Sequence, residues 1–338
     1  MVTVENLEKD LRQGVLNSIY LLYGEETFLL ETCLKKIKTN FGELKEGINY
    51  IKIDDTSVDK IISELETPAF GYEKKIIIAR DCALFKKETK KKTGLNLELS
   101  NKIAQYIQEN IKQIRETSIL VFVEQETEKN DLYKVIDNLG LVCNFESLKL
   151  SQVMVRIKAI CNAYKVNITE STLSYFLENV GLDMQNVINE IRKLIEFVGA
   201  EGTIKKEDVD KLSIKQLDSV IFDLTDNLGK KNIEKSLEVL NNLLYQKEPI
   251  QKILVTLYNH FKKLYIVKLS EKYNKNIAES LNLKPNQSFL VGKYRSQSAY
   301  FKESELRKIL YELIDLDYNY KIGKIDINIG LETILCCF

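Results

Sequence analysis

Over the first 145 positions the apolar residues fall into short continuous runs separated by helix-spaced stripes. Ser18–Tyr23, Lys75–Ala79 and Ile119–Val123 are such runs, the pattern of strands buried on both faces of a parallel sheet. Tyr50–Ile53 and Leu141–Phe145 read as two more strands. Between the runs, Val4–Leu11 has helical spacing, and so does the stretch from Glu25 marked by Phe28, Leu29, Cys33, Leu34 and Ile37. Val58–Leu65 reads as a helix that must stop before Pro68, because the residue preceding a proline avoids the helical region. The alternation predicts an α/β domain built on a parallel sheet.

Past residue 150 the strand signal disappears. Ser151–Tyr164, Glu170–Val180 and Asp183–Val198 read as three helices, with Thr169 and Asp183 as N-caps of the latter two. From about 213 a further helical block begins. Its faces are marked by Leu217 to Leu228, Ile233 to Leu244, Ile250 to Tyr265 and Leu306 to Asp317. The expected division is an α/β domain over 1–148, a small helical domain over 149–212 and an all-α bundle over 213–338. No internal repeat is visible.

Composition sharpens this picture. A chain of 338 residues exceeds one typical domain, and 44% apolar residues suffice to bury real cores. Only 3 prolines and 14 glycines suit a mainly helical chain. The 49 basic and 49 acidic residues cancel, which argues against coating nucleic acid by bulk charge but leaves room for a local basic patch. No apolar run reaches the roughly 20 residues that span a bilayer, and Met1–Glu5 lacks the pattern of a signal peptide. The six cysteines (33, 82, 143, 161, 336 and 337) form no Cys-x-x-Cys pair and are expected as buried thiols of a reducing compartment, the cytoplasm.

Catalytic chemistry is thin. The first strand runs into Gly24, Glu25, Glu26 and Thr27, where a phosphate-binding loop would carry several glycines and a lysine. Two carboxylates suit a helix N-terminus but repel phosphates. After the Lys75–Ala79 strand only Asp81 stands where a magnesium-binding ATPase carries paired acids, and it reads better as a strand-end cap or surface group. His260, the single histidine, lies in an apolar helix face beside Tyr258 and Phe261 and reads as a packed residue rather than a base. No spacing fits a metal site or a nucleophile elbow.

Four segments together resemble one family. They are Tyr20-Leu-Leu-Tyr-Gly-Glu-Glu-Thr-Phe-Leu-Leu-Glu31 and Leu65-Glu-Thr-Pro-Ala-Phe-Gly-Tyr-Glu-Lys-Lys-Ile-Ile-Ile-Ala-Arg80. The third is Ile119–Glu124 with Asp131–Lys134, and the last is Asp315–Leu335 with its Lys321-x-Gly-x-Ile-Asp326 core. Each is weak alone, but in this order the chain resembles the bacterial DNA polymerase III delta subunit family over nearly its whole length. The resemblance implies an AAA+-like α/β domain, a small helical domain and an all-α collar bundle. It also implies a subunit without catalysis or cofactor that binds and opens the beta sliding clamp. ATPase and delta-prime type loader subunits would meet it through the collar, and primed DNA would be met in the complex.

The clamp-binding residues so implied are Leu65, Pro68, Ala69 and Phe70, with Phe70 the anchor for an apolar pocket. The plain alternative is that Phe70 tucks into its own domain's core. Lys86, Lys87, Lys90, Lys91 and Lys92 read as a solvated loop or as contacts to DNA phosphate. Lys293 and Arg295, interleaved with Tyr294 and Tyr300, read either as a single-strand stacking surface or as helix packing. Two rival functions remain: an ATPase-like scaffold, and a helical nucleic-acid-binding protein without clamp binding.

Overall fold

A strand that is apolar on both faces needs cover on both, and the first compact unit, Met1–Ser147, supplies it. The structure is a computed structural model and describes residues 2–85, 95–283 and 287–337. In chain order the unit runs α1 (Val4–Arg12), β1 (Ile19–Tyr23), α2 (Thr27–Phe41), β2 (Tyr50–Ile53), a 3-10 turn (Val58–Lys60) and α3 (Ile61–Glu66). It continues with β3 (Lys75–Arg80), α4 (Leu95–Thr117), β4 (Ser118–Glu124), α5 (Asp131–Leu139) and β5 (Leu141–Asn144). The five strands are all parallel, in the order β2-β3-β4-β1-β5. This is the α/β class expected from the alternation of runs and stripes.

Side chains alternate across the sheet. Ile19, Leu21, Ile77, Ala79, Leu120 and Phe122 share one core with Leu65 of α3, Ile107 of α4 and Ile136 of α5. Tyr20, Leu22, Ile76, Ile78 and Val121 are equally buried and point the other way. Glu31 of α2 pairs with Arg80 at 2.7 Å, which sets α2 on that second side.

The second unit, Leu148–Phe338, opens with α6 (Leu150–Ala163), β6 (Asn167–Ile168), α7 (Glu170–Val180), α8 (Met184–Val198), β7 (Thr203–Ile204) and α9 (Lys206–Leu212). The bundle follows with α10 (Leu217–Gly229), α11 (Ile233–Tyr245), α12 (Ile250–Lys272), α13 (Ile277–Ser280), α14 (Leu290–Ser298), α15 (Glu303–Lys321) and α16 (Ile327–Cys336). Two expectations change here. Strand structure does not end at 150, because β6 and β7 pair in parallel, each too short to leave a sequence pattern. The segment 151–212 also holds a fourth helix, α9.

Thr169 and Asp183 do cap α7 and α8, accepting the amides of Thr172 and Asn186. The expected boundary at 212/213 falls inside the second unit. There the Gln216 amide donates to the Asn179 carbonyl at 2.9 Å, and Lys293 of α14 pairs with Glu178 of α7 at 2.9 Å. One core runs through the bundle from Ile221 and Leu224 through Phe261 and Leu264 to Leu313 and Leu331. The Lys321-x-Gly-x-Ile-Asp326 segment is the turn between α15 and α16. Gly323 takes a positive φ of 73°, and the amides of Gly323 and Lys324 return to the carbonyls of Tyr320 and Asn319. Asp326 then caps α16, accepting from Asn328 and Ile329.

Four of the six thiols are buried as expected. Cys336 and Cys337 are exposed, because they end the last helix on its outer side. Among the described residues, no helix is long and apolar enough to cross a membrane and no acid, histidine and cysteine cluster could hold a metal.

Candidate docking tip and the loop at the opposite end of the sheet

Between α3 and β3 the chain leaves the domain surface. Helix α3 stops at Glu66, and Thr67 is extended (φ −86°, ψ 130°) as Pro68 requires. The Tyr72 amide then donates to the Ala69 carbonyl at 3.3 Å, closing a four-residue turn. Gly71 occupies its third position with φ +78°, a conformation glycine adopts without strain. Phe70 is therefore the apex of the turn. It is 91% exposed, so it does not tuck into its own core. Pro68 is exposed beside it and Ala69 half-buried.

Leu65, grouped with these residues from the sequence, faces the opposite way. It lies one helical turn after Ile61, shares that residue's inward face, and packs in the sheet's core at 2% exposure. It anchors the helix beneath the tip and presents nothing outward.

Both arms of the tip are tied down. On the first, Thr67 donates its amide and its hydroxyl to the Ser63 carbonyl at 3.1 and 3.0 Å. Its hydroxyl oxygen in turn accepts from the Lys75 ammonium at 2.9 Å, and the same ammonium reaches Glu64 at 3.3 Å. On the second arm, the Tyr72 ring lies 5.9 Å from the Lys45 ammonium, and Lys74 donates to the Arg115 carbonyl at 2.8 Å. Beside this arm, Tyr72, Glu73 and Lys74 line a groove of about 440 Å³ together with Leu16, Phe41 and Ile119.

The loop Gly24, Glu25, Glu26 lies at the opposite end of the strands of the same sheet. Tyr23 pairs with Glu124 at one end of β4, whereas Lys75 pairs with Ser118 at the other. The two ends are thus about 20 Å apart along the strands at a rise of ~3.3 Å per residue. The loop is filled by the chain itself. Phe145 donates its amide to the Tyr23 carbonyl at 2.6 Å and accepts the Glu26 amide at 2.9 Å. Gly24 (φ +133°) lies so close that a β-carbon there would sit 2.3 Å from the Phe145 carbonyl oxygen. Ser147 donates to Glu25 at 3.0 Å. Thr27 starts α2 directly, and its amide turns back to the Glu25 carbonyl. An amide that would face a phosphate in a nucleotide loop is already bonded to backbone.

The remaining sequence candidates take ordinary structural places. Asp81 is exposed, in a left-handed turn (φ 51°) just past β3. His260 is 4% exposed, and its Nε2 lies 2.8 Å from Gln297 Oε1 and 3.0 Å from Thr225 Oγ1. Burial lowers its pKa to about 4, so it is neutral packing at ordinary pH. Tyr294 is 2% exposed within the bundle core, Lys293 pairs with Glu178, and Arg295 pairs with Glu271 at 3.0 Å. Basic and aromatic residues that alternate in sequence are therefore separated in space, the ring inward and the cations toward acids. Lys86, Lys87, Lys90, Lys91 and Lys92 lie outside the described residues.

Three residues that shape the tip went unread in the sequence: Thr67, Gly71 and Lys75. Gly71 directly after the apex is a turn signal, and a lysine opening an otherwise apolar strand is itself an anomaly.

Known proteins match along the same lines. Residues 20–146 match the family described as DNA polymerase III, delta subunit, and residues 218–338 match the C-terminal domain of that subunit. The DNA polymerase III subunit delta of Bacillus subtilis is 26% identical over 338 residues, covering 97% of this chain and 94% of the relative. The probable DNA polymerase III subunit delta of Aquifex aeolicus is 24% identical, covering 88% of this chain and 85% of that one. Among solved structures, the Bacillus subtilis DNA clamp loader delta protein YqeN superposes with a TM-score of 0.73 at 24% identity, covering 98% of both chains.

Proposed function

This chain belongs to the DNA polymerase III delta subunit family, and on that premise we propose that it binds and opens the beta sliding clamp through the Phe70 tip, without catalysis of its own. The observation that carries the reading is an aromatic side chain 91% exposed at the apex of a turn tied on both arms. An exposed phenylalanine on a flexible loop would lose much of its binding energy to ordering. Here the ordering is done before the partner arrives. Burying the ring contributes roughly 1.5–3 kcal/mol, with Pro68 and Ala69 as its flank and the groove beside Tyr72 as further contact. Opening follows from differential affinity: a clamp held open is stabilised because the tip binds that state better.

The filled loop at Gly24 supports a subunit that takes no nucleotide, leaving ATP chemistry to other loader subunits. The bundle carries a second unpartnered surface suited to those subunits. Tyr311, Ile314, Tyr318 and Ile322 form one exposed stripe on and just past α15, and Ile325 and Ile329 are exposed as well. Primed DNA is then met by the assembled loader, in the cytoplasm.

Purified wild type and Phe70→Ala should be titrated against the cognate sliding clamp without nucleotide. The expected result is binding by wild type and a loss of about 2 kcal/mol or more in the variant. Equal affinities would refute the site. No binding by the folded wild type would refute the function and favour an ATPase-like scaffold.

A further inference from the structure

We propose that Lys75 is the positioning residue of the tip: its buried ammonium clasps Thr67 and Glu64 so that Phe70 is presented ready for docking. The inference rests on the tip being the clamp-binding element. Lys75 opens β3 on the same side as Ile77 and Ala79, at a position where every other residue up to Ala79 is apolar and buried. It is itself only 2% exposed. Burying an ammonium is costly unless it is paired and bonded, and a methionine of similar length would fill the space without that cost. Stability alone therefore does not call for a lysine here.

What the ammonium does is geometric. It bonds Thr67 Oγ1 at 2.9 Å and Glu64 Oε2 at 3.3 Å, and Thr67 passes the link on to the Ser63 carbonyl. Lys75 is the first residue of β3 after the tip segment and Thr67 the first residue after α3, so one side chain joins the two feet of the loop. The second arm has its own ties through Lys45 and Arg115. The first arm, Thr67–Ala69, is held to β3 through Lys75. Without the clasp, Pro68 and Phe70 would swing about the end of α3, and the partner would have to order them on binding.

The test pairs a clamp-free readout with a binding readout on the full chain, using Lys75→Met and Thr67→Val. In Lys75→Met we expect an unchanged or raised thermal midpoint. Amide exchange at Thr67 and Tyr72 should be about tenfold faster, and affinity for the sliding clamp about tenfold weaker, a free-energy change of about 1.4 kcal/mol. Thr67→Val should weaken binding about threefold, and the double variant should bind no worse than Lys75→Met, because both remove one link. A residue with a merely structural role would lower the midpoint and leave exchange and affinity alone. If Lys75→Met fails to fold, the exposed Thr67→Val carries the same exchange and binding prediction. Exchange and affinity at wild-type values in the variants overturn the clasp. Should the wild type itself not bind the clamp, the docking reading falls and the exchange measurement still decides whether Lys75 orders the tip.

Discussion

The two ends of the parallel strands handle the same problem in opposite ways. At the end of β1, a loop of the kind that cradles phosphates is closed by the chain's own Phe145 and Ser147. At the start of β3, a loop that could have folded back instead holds a phenylalanine in solvent. One end turns its polar groups inward, and the other displays an apolar one outward. Both loops connect a strand and a helix of one scaffold, so their divergence lies in a few side chains: Gly24 against Phe145 on one side, Pro68, Gly71 and Lys75 on the other. Changes at either end need not disturb the sheet between them.

That contrast can be broken most forcefully at Gly24. A Gly24→Ala substitution drives a β-carbon into the Phe145 backbone at a backbone angle only glycine favours, and should cost about 3 kcal/mol of stability in urea unfolding. Clamp affinity per folded molecule should stay at the wild-type value if docking is confined to the opposite end of the strands. A stability change of similar size belongs to the second unit. His260 is held neutral with a pKa of about 4, against about 6.5 when unfolded. Between those values the unfolded chain binds the proton and the folded one does not. The unfolding free energy should therefore fall by about 3 kcal/mol as the pH drops from 6.5 to 4 and level off below that. His260→Gln should flatten the profile, and an unchanged slope would mean other groups set it. Phe70→Ala ranks next, with its loss in clamp binding and no shift in thermal midpoint, because the ring touches little of its own domain. The smallest effect is Gly71→Ala. Space around the new methyl is open, so only the positive φ resists it, at roughly 1 kcal/mol of stability.

The sequence makes one half of this contrast far easier to see than the other. Apolar runs such as Ile76–Ala79 and Ile119–Val123 announce buried strands because burial on both faces leaves no alternation. The missing lysine after Gly24 was equally plain. The closing partner was not, since Phe145 lies far along the chain and acts through its backbone, which no side-chain pattern encodes. Phe70 could be singled out as an anchor. Leu65 adjoins the tip in sequence, but a helical turn, not sequence proximity, decides that it faces inward. For Lys293, Tyr294 and Arg295 the letters leave stacking and packing equally open, because adjacent residues on a helix point in different directions. The strands β6 and β7 are two residues each, below any periodicity.

The most direct measurement places a photo-crosslinking benzoyl-phenylalanine at position 70 in one sample and at position 26 in another, each mixed with the sliding clamp without nucleotide. The account predicts a covalent product with the clamp from position 70 and none from position 26. Products from position 26 alone, or from both positions equally, would contradict the claim that one end of the strands is closed and the other docks.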